Sequence, residues 1–268
     1  MPSHRSGRRQ PRRIPLGLAP QAGADRPRTR APARAAGVIA PAIVTPAVSE
    51  DVLANGFALV RGAVTRGEAQ SLRALYERDS LFRSRIVMER HAFGKGEYKY
   101  FADPLPPPIR ELRGQLYEEL LPIASEWMRR LGKPFEFPAT HQAFLHECLA
   151  GDQKRPTALL LRYRTGDYNR LHQDLYGPIA FPLQATVYLS RPGDEFAGGE
   201  VVLAEQKPRA QTRIHVLTPE QGDLLLFPSA FAPIAATKGW QRTAFRHGIA
   251  TVTRGERFTL GIVLHDAR

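Results

Sequence analysis

The chain has 268 residues, 43% of them apolar and 24% charged, enough to bury a sizeable core in one large domain or two small ones. Its only cysteine is Cys148, which excludes an internal disulfide and a thiolate-rich metal site, and no apolar run approaches the length of a membrane span. The net charge of +12 is uneven: residues 1–48 hold nine arginines against the single acid Asp25, leaving only +4 for everything after them.

Residues 1–48 are rich in Arg, Pro and Ala and have no periodic apolar face, the composition of a disordered basic tail. Such a tail attracts polyanions without regard to sequence, and nucleic acid is the obvious candidate partner. A solvated extension with no partner, or an acid-poor transit peptide, would have the same composition. The tail lacks the apolar core of a secretory signal, and together with the lone cysteine this points to a cytoplasmic protein.

Folding is expected to begin near Ser49. Phe57-Ala58-Leu59-Val60 reads as a short strand, and Thr65 with Glu68 three residues later forms a capping-box pattern. The helix it opens has an apolar face of Ala69, Leu72, Leu75 and Tyr76. A strand at Ile86-Val87-Met88 precedes the segment His91 to Phe101, and the prolines from Pro104 to Pro108 break the chain. Ile109, Leu112, Leu116, Leu120, Ile123, Trp127 and Leu131 then recur at helical spacing, with Pro122 expected to kink or divide the helix and Gly132 to stop it. A further helix runs from Thr140 to Leu149 and closes at Gly151. Residues 49–155 thus form a helical N-terminal part.

From Pro156 the pattern changes. Strands are predicted at 158–163, 181–190, 200–204, 213–217, 222–227, 243–253 and 257–264. Turns at Pro192-Gly193-Asp194, Gly198-Gly199, Gln221-Gly222 and Arg254-Gly255-Glu256 separate them. Many short strands after a helical half imply a mainly β fold with α, a sandwich or barrel backed by helices over residues 156–268.

Within that half, His172 and Asp174 are two residues apart on an extended segment, so their side chains point the same way and form half of a metal site. His215, His247 and His265 are the later histidines, and His247 opens a strand. On the following strand Arg257 and Thr259 share a face. A guanidinium aimed into an apolar interior requires an anionic partner, and its forked donors suit a carboxylate. Two histidines and a carboxylate with open positions are the expected ligands of a non-haem Fe(II) oxygenase, so His172, Asp174 and His247 are the candidate metal ligands and catalytic centre. The far carboxylate of 2-oxoglutarate would then meet Arg257. His265 is the rival to His247, and His215 reads as an ordinary strand residue.

The spacing His172-x-Asp174 … His247, with Arg257 ten residues later and Thr259 two beyond it, resembles the Fe(II)/2-oxoglutarate dioxygenases over residues 156–266. Tyr163, nine residues before His172, looks like the tyrosine that contacts the co-substrate in the AlkB-type branch. Phe196-x-Gly198-Gly199-Glu200 is similar to the strand-turn element of the prolyl-hydroxylase branch. Arg90-His91-x-Phe93-Gly94 … Glu97-Tyr98-Lys99-Tyr100-Phe101, taken with Leu171 to Gly177, resembles a bacterial subfamily described as oxygenases acting on methyl-damaged nucleic acid. The chain departs from the AlkB pattern at Leu161, where an asparagine is usual, and it lacks the longer arginine-rich stretch after the second histidine. The ten-residue spacing is closer to the prolyl-hydroxylase pattern.

The resemblance implies a double-stranded β-helix (jelly-roll) core with N-terminal helices on its outer face. It implies Fe(II) as cofactor, 2-oxoglutarate and O2 as co-substrates, and Arg257, Thr259 and Tyr163 as the co-substrate contacts. His91, Lys95, Tyr98, Lys99 and Tyr100 alternate bases with aromatics, as a substrate loop that stacks on bases and pairs phosphates would; the same pattern fits a strand pair packed over the barrel. Three functions fit this pattern: an oxygenase on a nucleic-acid base, a hydroxylase of a peptidyl or small-molecule substrate, and a non-catalytic cupin-like module with a polyanion-binding tail.

Overall fold

In the computed structural model, which describes residues 42–133 and 135–268, the alternating segments of the C-terminal half form two antiparallel sheets that line a common cavity. The α-helices among the described residues are α1 (Pro46–Asn55), α2 (Arg66–Ala74), α3 (Pro107–Arg130) and α4 (His141–Ala150). Four strands precede the C-terminal half: β1 (Ala58–Val60), β2 (Phe82–Val87), β3 (Gly94–Lys95) and β4 (Glu97–Phe101). The core strands begin with β5 (Leu159–Arg164), β6 (Tyr168–His172), β7 (Leu183–Tyr188), β8 (Phe196–Gly198) and β9 (Val201–Gln206). They continue with β10 (Arg213–Leu217), β11 (Leu224–Pro228), β12 (Phe231–Ala235), β13 (Trp240–Ile249) and β14 (Val252–Val263).

The major sheet runs β1-β11-β7-β14-β5-β4-β2, with β8 on β14; the minor sheet runs β10-β9-β13-β6-β3, with β12 on β13. This is a double-stranded β-helix core, and helices cover the outer face of the major sheet. Period-two alternation lets that sheet do two jobs. Leu160, Ala185, Val187, Leu224, Leu226, Leu260 and Ile262 point outward into one core cluster with Leu112, Leu116, Leu120, Ile123 and Trp127 of α3. Each such aliphatic side chain contributes roughly 1.5–3 kcal/mol by burial. The intervening residues of the same strands face the cavity.

Several elements differ from expectation. Residues 42–48 are structured: Thr45 caps α1 by accepting from Val48 N–H, Pro46 occupies its first turn, and Gly56 ends it at φ 84°. Ile43 is 1% exposed, and Glu119 accepts the N–H groups of both Ile43 and Val44. The Pro/Ala-rich composition of the leader hid these caps. The rest of the predicted basic tail, residues 1–41, lies outside the described residues. Pro122 does not divide α3, because it sits on the exposed face, where its missing N–H costs only a bond to the exposed Glu118, while Leu120 and Ile123 hold both sides against the core. The segment Arg254 to Glu256 is not a turn but part of β14. The chain reverses at Ala250 and Thr251, the register against β8 slips between Val252 and Arg254, and Gly255, at φ 78° opposite Phe196, lies where a Cβ would overlap the Glu195 carbonyl. β12 escaped notice because Pro233 reads as a strand breaker, which an outer position on β13 tolerates.

Among the described residues no helix is long and apolar enough to cross a membrane. The role of the residues before α1 can be checked directly: Ile43→Ala should lower unfolding stability by about 2–5 kcal/mol in urea titration. A loss under about 0.5 kcal/mol would show that this segment is not part of the core.

Candidate metal centre

The centre is built by one register. β13 pairs with β6 so that His247 stands directly opposite His172, and β6 ends there, leaving Asp174 two residues on with its N–H donated to the Ser229 carbonyl at 3.2 Å. The imidazole centroids lie 4.1 Å apart. His247 Nε2 is 3.2 Å from Asp174 Oδ2, and His172 Nε2 is 3.6 Å from Oδ1. One ligand atom from each of His172, Asp174 and His247 falls within 4.8 Å of the others, close enough for all three to hold one ion.

Hydrogen bonds prepare the donors. His172 Nδ1 is 2.7 Å from the Arg170 carbonyl, which can only accept, so the proton sits on Nδ1 and the Nε2 lone pair faces the centre. Burial, reinforced by repulsion from His247, lowers the His172 pKa and keeps the ring neutral, as a ligand must be. Burial alone would raise the Asp174 carboxyl, but His247, His172 and the Tyr176 hydroxyl outweigh it and hold the group well below the usual carboxylate range. Gln173, given no role by the sequence pattern, points to the opposite side. Its Nε2 donates to the carbonyls of Ala230 at 2.8 Å and Phe245 at 2.9 Å, tying the end of β6 to β13.

The triad opens on a cavity of about 400 Å³ between the sheets. Arg257, Thr259 and Tyr163 line the same cavity and are 2%, 3% and 1% exposed. Arg257 reaches it through an aromatic cage: its Cζ lies 5.6 Å from the Tyr163 ring, 5.4 Å from Tyr188 and 5.9 Å from Phe196. Gly199, at φ 65°, leaves room for it, since a Cβ there would stand 3.0 Å from Arg257 Cδ. Neither Nη1 nor Nη2 has a hydrogen-bond partner among the described residues. Burial depresses the Arg257 pKa, and no carboxylate among the described residues bonds to it to offset that cost. Together the triad and this guanidinium can take a metal ion and a small carboxylate side by side.

The sequence pattern missed Tyr188 and Gln184, which line the cavity from β7. Gln184 is 2% exposed and its Nε2 has no partner among the described residues. Their signal was present in the alternation Gln184, Thr186, Tyr188 within an otherwise apolar strand. The five residues expected to form a substrate loop divide. Tyr98 and Tyr100 line the cavity. Lys99, between them on β4, turns the other way and is buried, donating to the Tyr76 carbonyl at 2.8 Å and Asp79 at 2.7 Å; strand alternation removes it from the site. His91 is exposed and stacks on Phe93, which borders the cavity, while Lys95 is exposed on β3 and does not line it. His265 is buried outside the triad, its Nδ1 accepting from Phe181 N–H, and His215 pairs with Glu205 at 3.0 Å.

Comparison with known proteins adds three findings. The model of a family described as "Oxygenase, catalysing oxidative methylation of damaged DNA" matches residues 96–267. An uncharacterized protein of Mycobacterium tuberculosis, found in strains CDC 1551 / Oshkosh and ATCC 25618 / H37Rv, is 42% identical over 167 residues, 62% of this chain and 72% of its own. Among solved structures, a Trichoplax adhaerens prolyl hydroxylase in complex with a hypoxia-inducible-factor peptide fragment superposes with TM-score 0.51 at 14% identity, covering 80% of this chain and 85% of that one. A Pseudomonas putida prolyl-4-hydroxylase has TM-score 0.48 at 16% identity, covering 83% and 98%. The first of these two likenesses supports the jelly-roll fold.

Gln173→Leu should leave two carbonyls unpaired at the end of β6 and reduce stability by roughly 1–3 kcal/mol. An unchanged melting curve would mean that the Gln173 bridge does not hold the end of β6.

Proposed function

The chain belongs to the family of oxygenases described as catalysing oxidative methylation of damaged DNA, and from that membership we propose that it is an Fe(II)- and 2-oxoglutarate-dependent dioxygenase whose centre is His172, Asp174 and His247. The observation that carries this reading is the buried Arg257, whose Nη atoms have no partner among the described residues and which lines the cavity of the triad. A two-histidine, one-carboxylate set with open positions suits Fe(II), and a buried guanidinium suits the far carboxylate of a keto acid chelated there. Bound in this cavity, Fe(II) with 2-oxoglutarate and O2 would supply the oxidation, yielding succinate and CO2 and placing one oxygen atom in a substrate C–H bond.

The protein's own residues do the positioning. Arg257 binds the carboxylate, with Thr259, Tyr163 and Tyr188 closing around it, and the apolar walls exclude water. His172 presents its neutral Nε2 because the Arg170 carbonyl holds the proton on Nδ1. The family description supports a methylated nucleic-acid base as the primary substrate. Oxidation at an N-methyl carbon gives a hydroxymethyl group that collapses to formaldehyde and the unmethylated base.

Full-length protein with Fe(II) should form succinate from 2-oxoglutarate, and His172→Ala should abolish this; no turnover and no 2-oxoglutarate binding by the wild type would overturn the reading. Stimulation by methylated single-stranded DNA with release of formaldehyde is the expected substrate result. Stimulation by peptides or metabolites alone would redirect it to hydroxylation. Arg257→Ala should weaken 2-oxoglutarate binding by about a hundredfold, the 2–3 kcal/mol of a charge-assisted hydrogen-bond pair, while leaving metal affinity within about twofold. Equal losses of both would contradict its assigned role.

A further inference from the structure

Asp174 has two carboxylate oxygens in unequal surroundings. Oδ2 faces His247 Nε2 at 3.2 Å, while Oδ1 accepts a hydrogen bond from the Tyr176 hydroxyl at 3.0 Å. An ionised carboxylate can only accept, so Tyr176 must donate its proton there. That leaves the Tyr176 oxygen free to accept, and Tyr100 donates to it at 3.2 Å. The Arg83 guanidinium lies 4.6 Å above the Tyr100 ring. A directed chain of two phenols thus runs from β4, at the cavity wall, to one oxygen of the proposed iron ligand.

The loop carrying Tyr176 is fixed from behind. Gln153 is fully buried and holds Ile179 by both edges of its amide: Nε2 donates to the Ile179 carbonyl and Oε1 accepts from the Ile179 N–H, each at 2.8 Å. The same Nε2 is 2.6 Å from the Asp266 carbonyl, which joins the loop to the C-terminal segment. Gly177 lies so close to the Gln153 amide that a Cβ would overlap it. Two hydroxyls and a locked loop directed at one carboxylate oxygen are more than packing requires, since a phenylalanine would fill the same space.

We propose that Tyr176, oriented by Tyr100, is a positioning residue that engages Asp174 Oδ1 and so presents Oδ2 alone to the metal. This rests on the reading of His172, Asp174 and His247 as metal ligands. A carboxylate held to one oxygen occupies one coordination position and leaves the others for co-substrate and O2. A carboxylate free to turn can close on the metal with both oxygens and take a position that the keto acid needs. Because Tyr98 and Tyr100 share the cavity wall, the chain also links the substrate side of the cavity to the metal ligand.

The test uses full-length protein loaded with Co(II), a redox-inert probe with a visible spectrum that reports coordination. Tyr176→Phe should weaken Co(II) binding by about tenfold or more, change the intensity of the visible bands, and weaken 2-oxoglutarate binding to the Co(II) form, with an unchanged melting temperature. Tyr100→Phe, which leaves the Asp174 bond in place, should shift the same quantities in the same direction by less. Tyr176→Phe protein with wild-type Co(II) affinity and an identical spectrum would overturn the proposal while leaving the metal site intact. Should Tyr176→Phe fail to fold, Tyr100→Phe decides: a spectrum and affinity identical to wild type overturn the phenol chain. Wild-type protein that takes up no Co(II) would overturn the metal site and this inference with it.

Discussion

The guanidinium of Arg257 is a buried positive charge surrounded by rings, and its Nη atoms have no hydrogen-bond partner among the described residues. Leaving such a group unpaired costs several kcal/mol, so its retention at the bottom of a cavity implies a ligand that supplies the missing acceptors. Much around it serves its placement. Gly255 lets β14 pass close against β8, Gly199 clears space beside the Arg257 side chain, and Tyr163 and Tyr188 come from the strands that flank β14 in the major sheet. Once this cation is fixed, one end of the cavity suits an anion, and His172, Asp174 and His247 stand on the opposite sheet, close enough together to hold a metal ion.

The major sheet makes this possible because both of its faces are buried. Leu160, Leu260 and Ile262 pack outward on the helices, while Tyr163, Arg257 and Thr259 of the same two strands look inward. A one-residue slip in the pairing of β5 with β14 would carry the polar set into the helical core, so core formation and site assembly enforce the same register. Stability and function are thus specified together. The cost is a cavity wall containing Arg257 and Gln184 atoms that no group among the described residues satisfies.

The surroundings of the triad are as organised as its members. Arg170, Gln173 and Tyr176 all lie within two residues of His172 or Asp174, and each fixes a different degree of freedom: the tautomer of His172, the end of β6, and the orientation of the Asp174 carboxylate. Period-two alternation sends Gln173 to the far side of the strand, so a residue between His172 and Asp174 holds the end of β6 by pointing away from them.

Much of this was legible in the residues alone. The His172-x-Asp174 pair, His247, and Arg257 with Thr259 on one strand face follow from alternation and the chemistry of their side chains, and so does a β-rich half behind capped helices. The jelly-roll class followed from the family those residues resemble. What the residues could not convey depends on contacts between distant segments. Thr45 and Pro46 are ordinary leader residues until Glu119 holds the chain beside them. Gly255 reads as a turn until its pairing with Phe196 of β8 places it inside β14. Lys99 reads as a substrate contact until its neighbours fix which way β4 faces. Tyr176 and Gln153 have no local pattern at all, because a hydroxyl or amide acquires a role only when its partner, far away in sequence, is brought within about 3 Å. Local sequence determines which way a side chain points along its own strand; only the tertiary structure decides what it meets there.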